Sequence, residues 1–184
     1  SNTLIGPAAG IAISTGGENL CLGHDAGRSG SPGGEVSTTN RKIFLGDENI
    51  SNFHCQVVLS AASDKRDKTD VKELDLGLEF INKLEPVTYR WDKRSKYGNK
   101  QEKGYDLNAQ TPDGTHKEDQ LDIGFLAQDV ADIEASYNYK IEEKTNLTTE
   151  LSDDGKMYNT KYSKFVPMLV KAVQELTKRI EELE

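Results

Sequence analysis

A nine-residue pattern occurs twice near the start of the chain. Residues 2–10 read Asn-Thr-Leu-Ile-Gly-Pro-Ala-Ala-Gly and residues 19–27 read Asn-Leu-Cys-Leu-Gly-His-Asp-Ala-Gly, a spacing of 17. Both have an opening asparagine, an aliphatic residue before glycine, and a closing Ala-Gly. Lys42-Ile43-Phe44-Leu45-Gly46-Asp47 fits as a third, degenerate copy. A short apolar run closed by glycine turns and repeated at a fixed period predicts stacked β units. One copy has too few apolar residues to bury a core. Such units are stable when stacked on each other, or when several chains wrap around a common axis. A flexible linker would lack the bulk of Ile11-Ala12-Ile13, Ile43-Phe44-Leu45 and Val57-Val58-Leu59, which read as strands. Gly6-Pro7 and Gly33-Gly34 read as turns.

Composition changes abruptly at Ser63-Asp64-Lys65-Arg66-Asp67-Lys68. Ten of the 16 glycines and only eight charged residues precede it, whereas 46 charged residues lie from Ser63 onward. This divides the chain into a β-rich part, 1–62, and a second domain, 63–184. Apolar residues make up 35% of the chain and mean hydropathy is −0.67. So polar a chain is either largely surface or completes its core with other copies of itself. The net charge of −8 opposes nucleic acid as a partner, because holding phosphates needs a basic face. No stretch reaches the roughly 18 apolar residues of a membrane span, and no signal-peptide pattern is visible. Cys21 lies in an apolar strand pattern. Its Cys-x-x-His spacing to His24, and the His54-Cys55 pair, are read as buried structural thiols rather than a metal site. Neither a metal nor another cofactor is expected.

In the second part, Leu74, Leu78, Ile81 and Leu84 are spaced as on a helix, which Glu85-Pro86 would end. Val87 to Trp91 reads as a strand, 92–120 as a long exposed loop or β-arm, and Leu121 to Phe125 as a returning strand. Ala127 to Ile133 reads as a short helix and Tyr137 to Ile141 as another strand. A closing helix spans about 160–184. On it Val166, Leu169, Val173, Leu176, Ile180 and Leu183 alternate steps of three and four, an a/d heptad seam. Lys171, Glu175, Lys178, Arg179, Glu181 and Glu182 suit a solvated flank, and Pro167 is tolerated near the helix start. An uncovered stripe lasting to the final residues favours self-association, although its residue types leave the number of copies open. The expected class is α+β.

Four landmarks together resemble the intramolecular chaperone domain of phage tailspikes and tail fibres, the peptidase S74 family. They are Ser63-Asp64-Lys65-Arg66-Asp67-Lys68 (the family's Ser-Asp-x-Arg-x-Lys), Leu84 to Trp91, Ile123 to Val130, and Tyr162 to Leu183. The first third resembles the end of a trimeric viral fibre or stalk. The family resemblance implies a homotrimer that assists folding of the upstream β-rich fibre, then self-cleavage by a Ser–Lys pair, here Ser63 and Lys68. A mature virion fibre for host attachment, made in the host cytoplasm, would result. Thr69-Asp70-Val71 departs slightly from the Asn-Ile that commonly follows the family's lysine. A permanent, non-enzymatic trimerisation cap is the alternative.

A serine is a weak nucleophile until a base takes its proton. Lysine can do so only when neutral, which requires burial or neighbouring cations to bring its pKa down. Lys65 and Arg66 would help, while Asp64 and Asp67 oppose the shift unless they point elsewhere. A spacing of five sets two side chains roughly 140° apart on a helix and on opposite faces of a strand. Contact between Ser63 and Lys68 therefore needs a turn between them, or a lysine from another subunit. Attack on the preceding carbonyl passes through a five-membered ring, so the expected scissile bond is Ala62–Ser63 rather than Ser63–Asp64. The bland reading of Ser63 or Asp64 is a cap on a charged turn.

Overall fold

The computed structural model describes residues 1–183, which form two compact units. One comprises residues 1–50 and 84–162, the other residues 51–83 and 163 onward. Among the described residues the chain is α+β, with three helices and three small sheets.

The first sheet consists of the predicted repeats. Strands β1 (Thr3–Ile5), β2 (Leu20–Leu22) and β3 (Ile43–Leu45) stack in parallel, with Leu4, Cys21 and Phe44 in one column. Asparagine sets the register. Asn2 Oδ1 accepts the Asn19 backbone N–H at 3.0 Å while its Nδ2 donates to the Gly16 carbonyl at 3.0 Å. Asn19 does the same one rung later, accepting from Lys42 N at 3.1 Å and donating to Thr39 O at 2.7 Å. The repeated glycine is required by close stacking at Gly6 (φ +126°), where a Cβ would lie 2.6 Å from the Gly23 carbonyl oxygen. Ala9, Cys21, Ala26, Val36 and Phe44 form the buried core of this stack.

The period is not constant. Thr3 pairs with Leu20, 17 residues on, but Leu20 pairs with Ile43, 23 residues on. Gly10 N bonds Ala26 O, whereas Ser14 N bonds Ser37 O, so the six extra residues fall within 28–36. Ile11 to Ile13 forms a turn rather than a strand, its amides bonding locally to Ala8 and Gly10. Val57 to Leu59 is exposed and pairs with no strand.

In the rest of this unit β4 (Val87–Tyr89) pairs antiparallel with β5 (Asp122–Gly124) as expected. The helix after β5, α2, runs from Ala127 to Ser136. Between β4 and β5 there is no β-arm: two 3-10 turns, Arg94–Lys96 and Leu107–Ala109, bury Ser95 and Leu107. Tyr137 to Ile141 is not a strand. The α2 terminus curls through Asn138 at φ +66°, and Tyr139 N bonds back to Glu134 O. The strands lie further on, as a hairpin of β6 (Thr149–Leu151) and β7 (Tyr158–Thr160). Glu134 on α2, fully buried, holds that hairpin. Its carboxylate accepts the backbone N–H and hydroxyl of both Thr148 and Thr149 at 2.5–3.3 Å.

The second unit pairs α1 (Leu78–Lys83) with α3 (Phe165–Glu181). The expected helix from Leu74 is cut short because α1 begins at a cap supplied by α3. Leu78 N–H donates to Glu175 Oε2 at 2.8 Å, and a Cβ at Gly77 would fall on that carboxylate. The buried residues are Leu76 and Phe80, with Phe165, Met168 and Ala172 from α3. Pro167 stands in the first turn of α3, and a 3-10 turn, Tyr162–Lys164, precedes it. Among the described residues no helix is long and apolar enough to cross a membrane.

Candidate active site

Asp64 caps a 3-10 turn formed by Lys65–Asp67, accepting the Arg66 backbone N–H at 2.9 Å. That turn reverses the chain over five residues and brings the Lys68 Nζ within 2.6 Å of the Ser63 Oγ, donating to it. The required turn is therefore present within one chain. The Asp64 carboxylate also grips the Arg66 guanidinium, with Nη2 at 2.6 Å and Nε at 3.1 Å. Arg66's side chain and backbone N–H hold the Asp64 carboxyl below the usual carboxylate range, and Arg66 is raised in return. Asp64 thus points at Arg66, and each largely cancels the other's charge. Every residue from 51 to 73 is exposed, Ala62, Ser63 and Lys68 included.

Residues 63–139 match the family model Peptidase_S74, described as chaperone of endosialidase. This part of the chain is similar to that family. No curated protein matches the chain. The Peptidase_S74 match begins at Ser63, the first residue of the turn, and takes in α1, the β4–β5 pair and α2, while α3 lies beyond it.

Within the Peptidase_S74 segment, the Ile123-Gly124-Phe125 motif has a local cause. Phe125 N–H donates to the Tyr162 hydroxyl at 3.0 Å, and a side chain at 124 would collide with that same oxygen. Beyond the segment, α3 shows two apolar faces. Phe165, Met168 and Ala172 pack in the unit. Val166, Leu169, Val173, Leu176 and Ile180 lie on the other face and remain 47–62% exposed, with Leu183 exposed beyond the helix end. Lys171 and Glu175 are not simply a solvated flank. Lys171 pairs with Glu73, holding the Glu73 carboxyl low, and Glu175 caps α1. Sequence reading missed this second face because its spacing is masked by the longer seam beside it.

Of the two cysteines, Cys21 is buried, and burial pushes its thiol pKa up. Cys55 is exposed, contrary to expectation, as is every residue from 51 to 73. His24, Asp25 and Asp47 gather potential metal-ligand atoms within 4.8 Å of one another. Their carboxylates already accept from protein donors: Arg28 reaches Asp25 at 3.1 Å and Asn49 Nδ2 reaches Asp47 at 2.8 Å. This arrangement accounts for the cluster as a corner of the stack.

Proposed function

We propose that residues 63–184 are an intramolecular chaperone that trimerises, folds the β-rich fibre stalk of residues 1–62 upstream of it, and is then released by self-cleavage at Ala62–Ser63. The observation that carries this reading is the 2.6 Å approach of Lys68 Nζ to Ser63 Oγ at the first residue of the family match. In the reaction a neutral Lys68 takes the Ser63 hydroxyl proton and the oxygen attacks the Ala62 carbonyl carbon. The C–N bond to Ser63 breaks as Lys68 returns the proton to the leaving nitrogen. This leaves Ala62 esterified to Ser63, and water hydrolyses the ester, freeing the 1–62 and 63–184 pieces. Assembly around the exposed seam of Val166, Leu169, Val173, Leu176, Ile180 and Leu183 would supply the other copies. The mature product is a virion tail fibre or spike for host attachment.

One observation favours the second reading, a permanent cap. Both members of the pair are exposed in a single chain, with no packed side chains around them to exclude water. Cleavage therefore depends on cover supplied during assembly. Denaturing gels separate the readings. Ser63→Ala and Lys68→Met should each leave one full-length band, while the parent splits near residue 62. Cleavage of both variants at that junction would refute the pair, and an intact, assembled parent would establish the cap.

A further inference from the structure

The core of the β1–β3 stack includes no residue beyond Phe44. Residues 84–162 meet the stack instead largely through charge and backbone polar groups. Lys100 lies between Asp25 and Glu48, pairing with both, and these carboxylates are only 2% and 5% exposed. Lys42 Nζ is 2.6 Å from Asp153 Oδ1, and Thr39 donates to the same carboxylate at 2.5 Å. The six-residue insertion in the repeat lies in this contact. Arg28 reaches the Lys100 carbonyl at 2.9 Å, Glu35 N–H donates to Asp154 at 2.9 Å, and Gly30 stands against Ser95. The apolar part of the contact is small, with Leu107 buried beside Gly30. A cleft of about 530 Å³ remains between Pro32 and Ile50 on one side and Trp91 and Leu107 on the other.

A permanent interface is large, apolar and closely packed, whereas separable ones are polar and wet. We propose that this ionic seam is the surface on which the chaperone holds its client, and that ionic strength governs how readily it lets go. The inference rests on the chaperone reading above. It adds that the rung insertion at residues 28–36 is the handle, and that little apolar surface beyond Leu107 is uncovered on release. Salt weakens the seam through its partly exposed pair, Lys42–Asp153, at 49% and 33% exposure, because screening acts on solvent-facing charges.

Hydrogen exchange on the uncut Ser63→Ala full chain tests this independently of cleavage. Between about 0.05 and 0.5 M salt, where the screening length falls below roughly 5 Å, exchange in residues 28–36, 93–101 and 149–157 should rise roughly tenfold. Amides of β1–β3 and of the α1–α3 pair should not move. Lys42→Glu should produce the rise already at low salt, and adding Asp153→Lys should restore protection. Salt-insensitive exchange, failure of the charge swap to rescue, or equal loosening of β1–β3 would each overturn the proposal. If the parent proves uncleaved, self-cleavage falls, yet exchange in the Ser63→Ala chain still decides the seam.

Discussion

Replacing Leu169 and Leu176 together by aspartate places two carboxylates in the seam of α3 without touching the face that packs within the chain. Complete burial of a leucine-sized side chain contributes about 1.5–3 kcal/mol, and these seam residues are already about half covered. Association can therefore gain roughly 1 kcal/mol per seam residue, about 5 kcal/mol per copy over the five on α3. The double substitution forfeits about 2 kcal/mol of this and adds several kcal/mol for each carboxylate taken from water without a partner. The sum exceeds the whole gain, so assembly through α3 should be abolished rather than weakened. Phe165, Met168, Ala172 and Glu175 keep their contacts with α1, so helical circular dichroism should persist. Light scattering should report a trimer for the parent and smaller species or aggregate for the variant, the stack being unable to assemble unaided. A monomeric parent, or a variant that assembles normally, would refute the trimer reading.

Three further outcomes follow from the geometry. Glu134→Ala leaves two buried backbone N–H groups, of Thr148 and Thr149, without an acceptor at about 1–3 kcal/mol each. Urea unfolding should show a loss of about 2–5 kcal/mol, and a loss below about 1 kcal/mol would contradict the latch. Gly77→Ala should displace the Glu175 carboxylate and cost about 1 kcal/mol, a typical cap. Glu175→Ala added to it should then cost little more, and full additivity would exclude a shared cap. For Asp47, burial alone would raise the carboxyl, but donors from Asn49 and His24 and the charge of Lys100 outweigh it and hold the pKa low. Its stabilisation is therefore complete above the unfolded value of about 3.9 and disappears as pH falls through the lower folded value. Asp47→Asn should flatten the acid limb of melting temperature against pH below about pH 4, and an unchanged limb would rule this out.

Features carried by local pattern were legible in the sequence. The Asn and Gly positions give away two rungs of the stack because Asn2 and Asn19 perform the same backbone task one level apart and Gly6 and Gly23 stand in close register. Once the resemblance paired Ser63 with Lys68, spacing required either a turn between them or a lysine from another subunit, since neither helix nor strand lets residues five apart meet. The β6–β7 hairpin left no such trace: its anchor is Glu134, whose four donors come from Thr148 and Thr149, and nothing in an isolated glutamate announces that it is buried. The late start of the helix expected from Leu74 was equally hidden, because the cap that starts α1 at Leu78 comes from Glu175, about a hundred residues later in the chain. Cys55 was misjudged because free cysteines are commonly buried, whereas here every residue from 51 to 73 is exposed.

The exposure of residues 51–73 has a thermodynamic consequence. Cutting at Ala62–Ser63 breaks no packed contact, so the seam between the stack and residues 84–162 is the same before and after. What changes is the molecularity of the contact, from intramolecular to bimolecular. Joined by chain, the two surfaces meet at an effective concentration of roughly millimolar order, whereas once severed they meet only at their concentration in solution. A contact too weak to persist between free molecules can thus be fully occupied in the joined chain and empty after the cut. One cut peptide bond would convert a held pair into a dilute one, with no rearrangement of either surface needed beforehand.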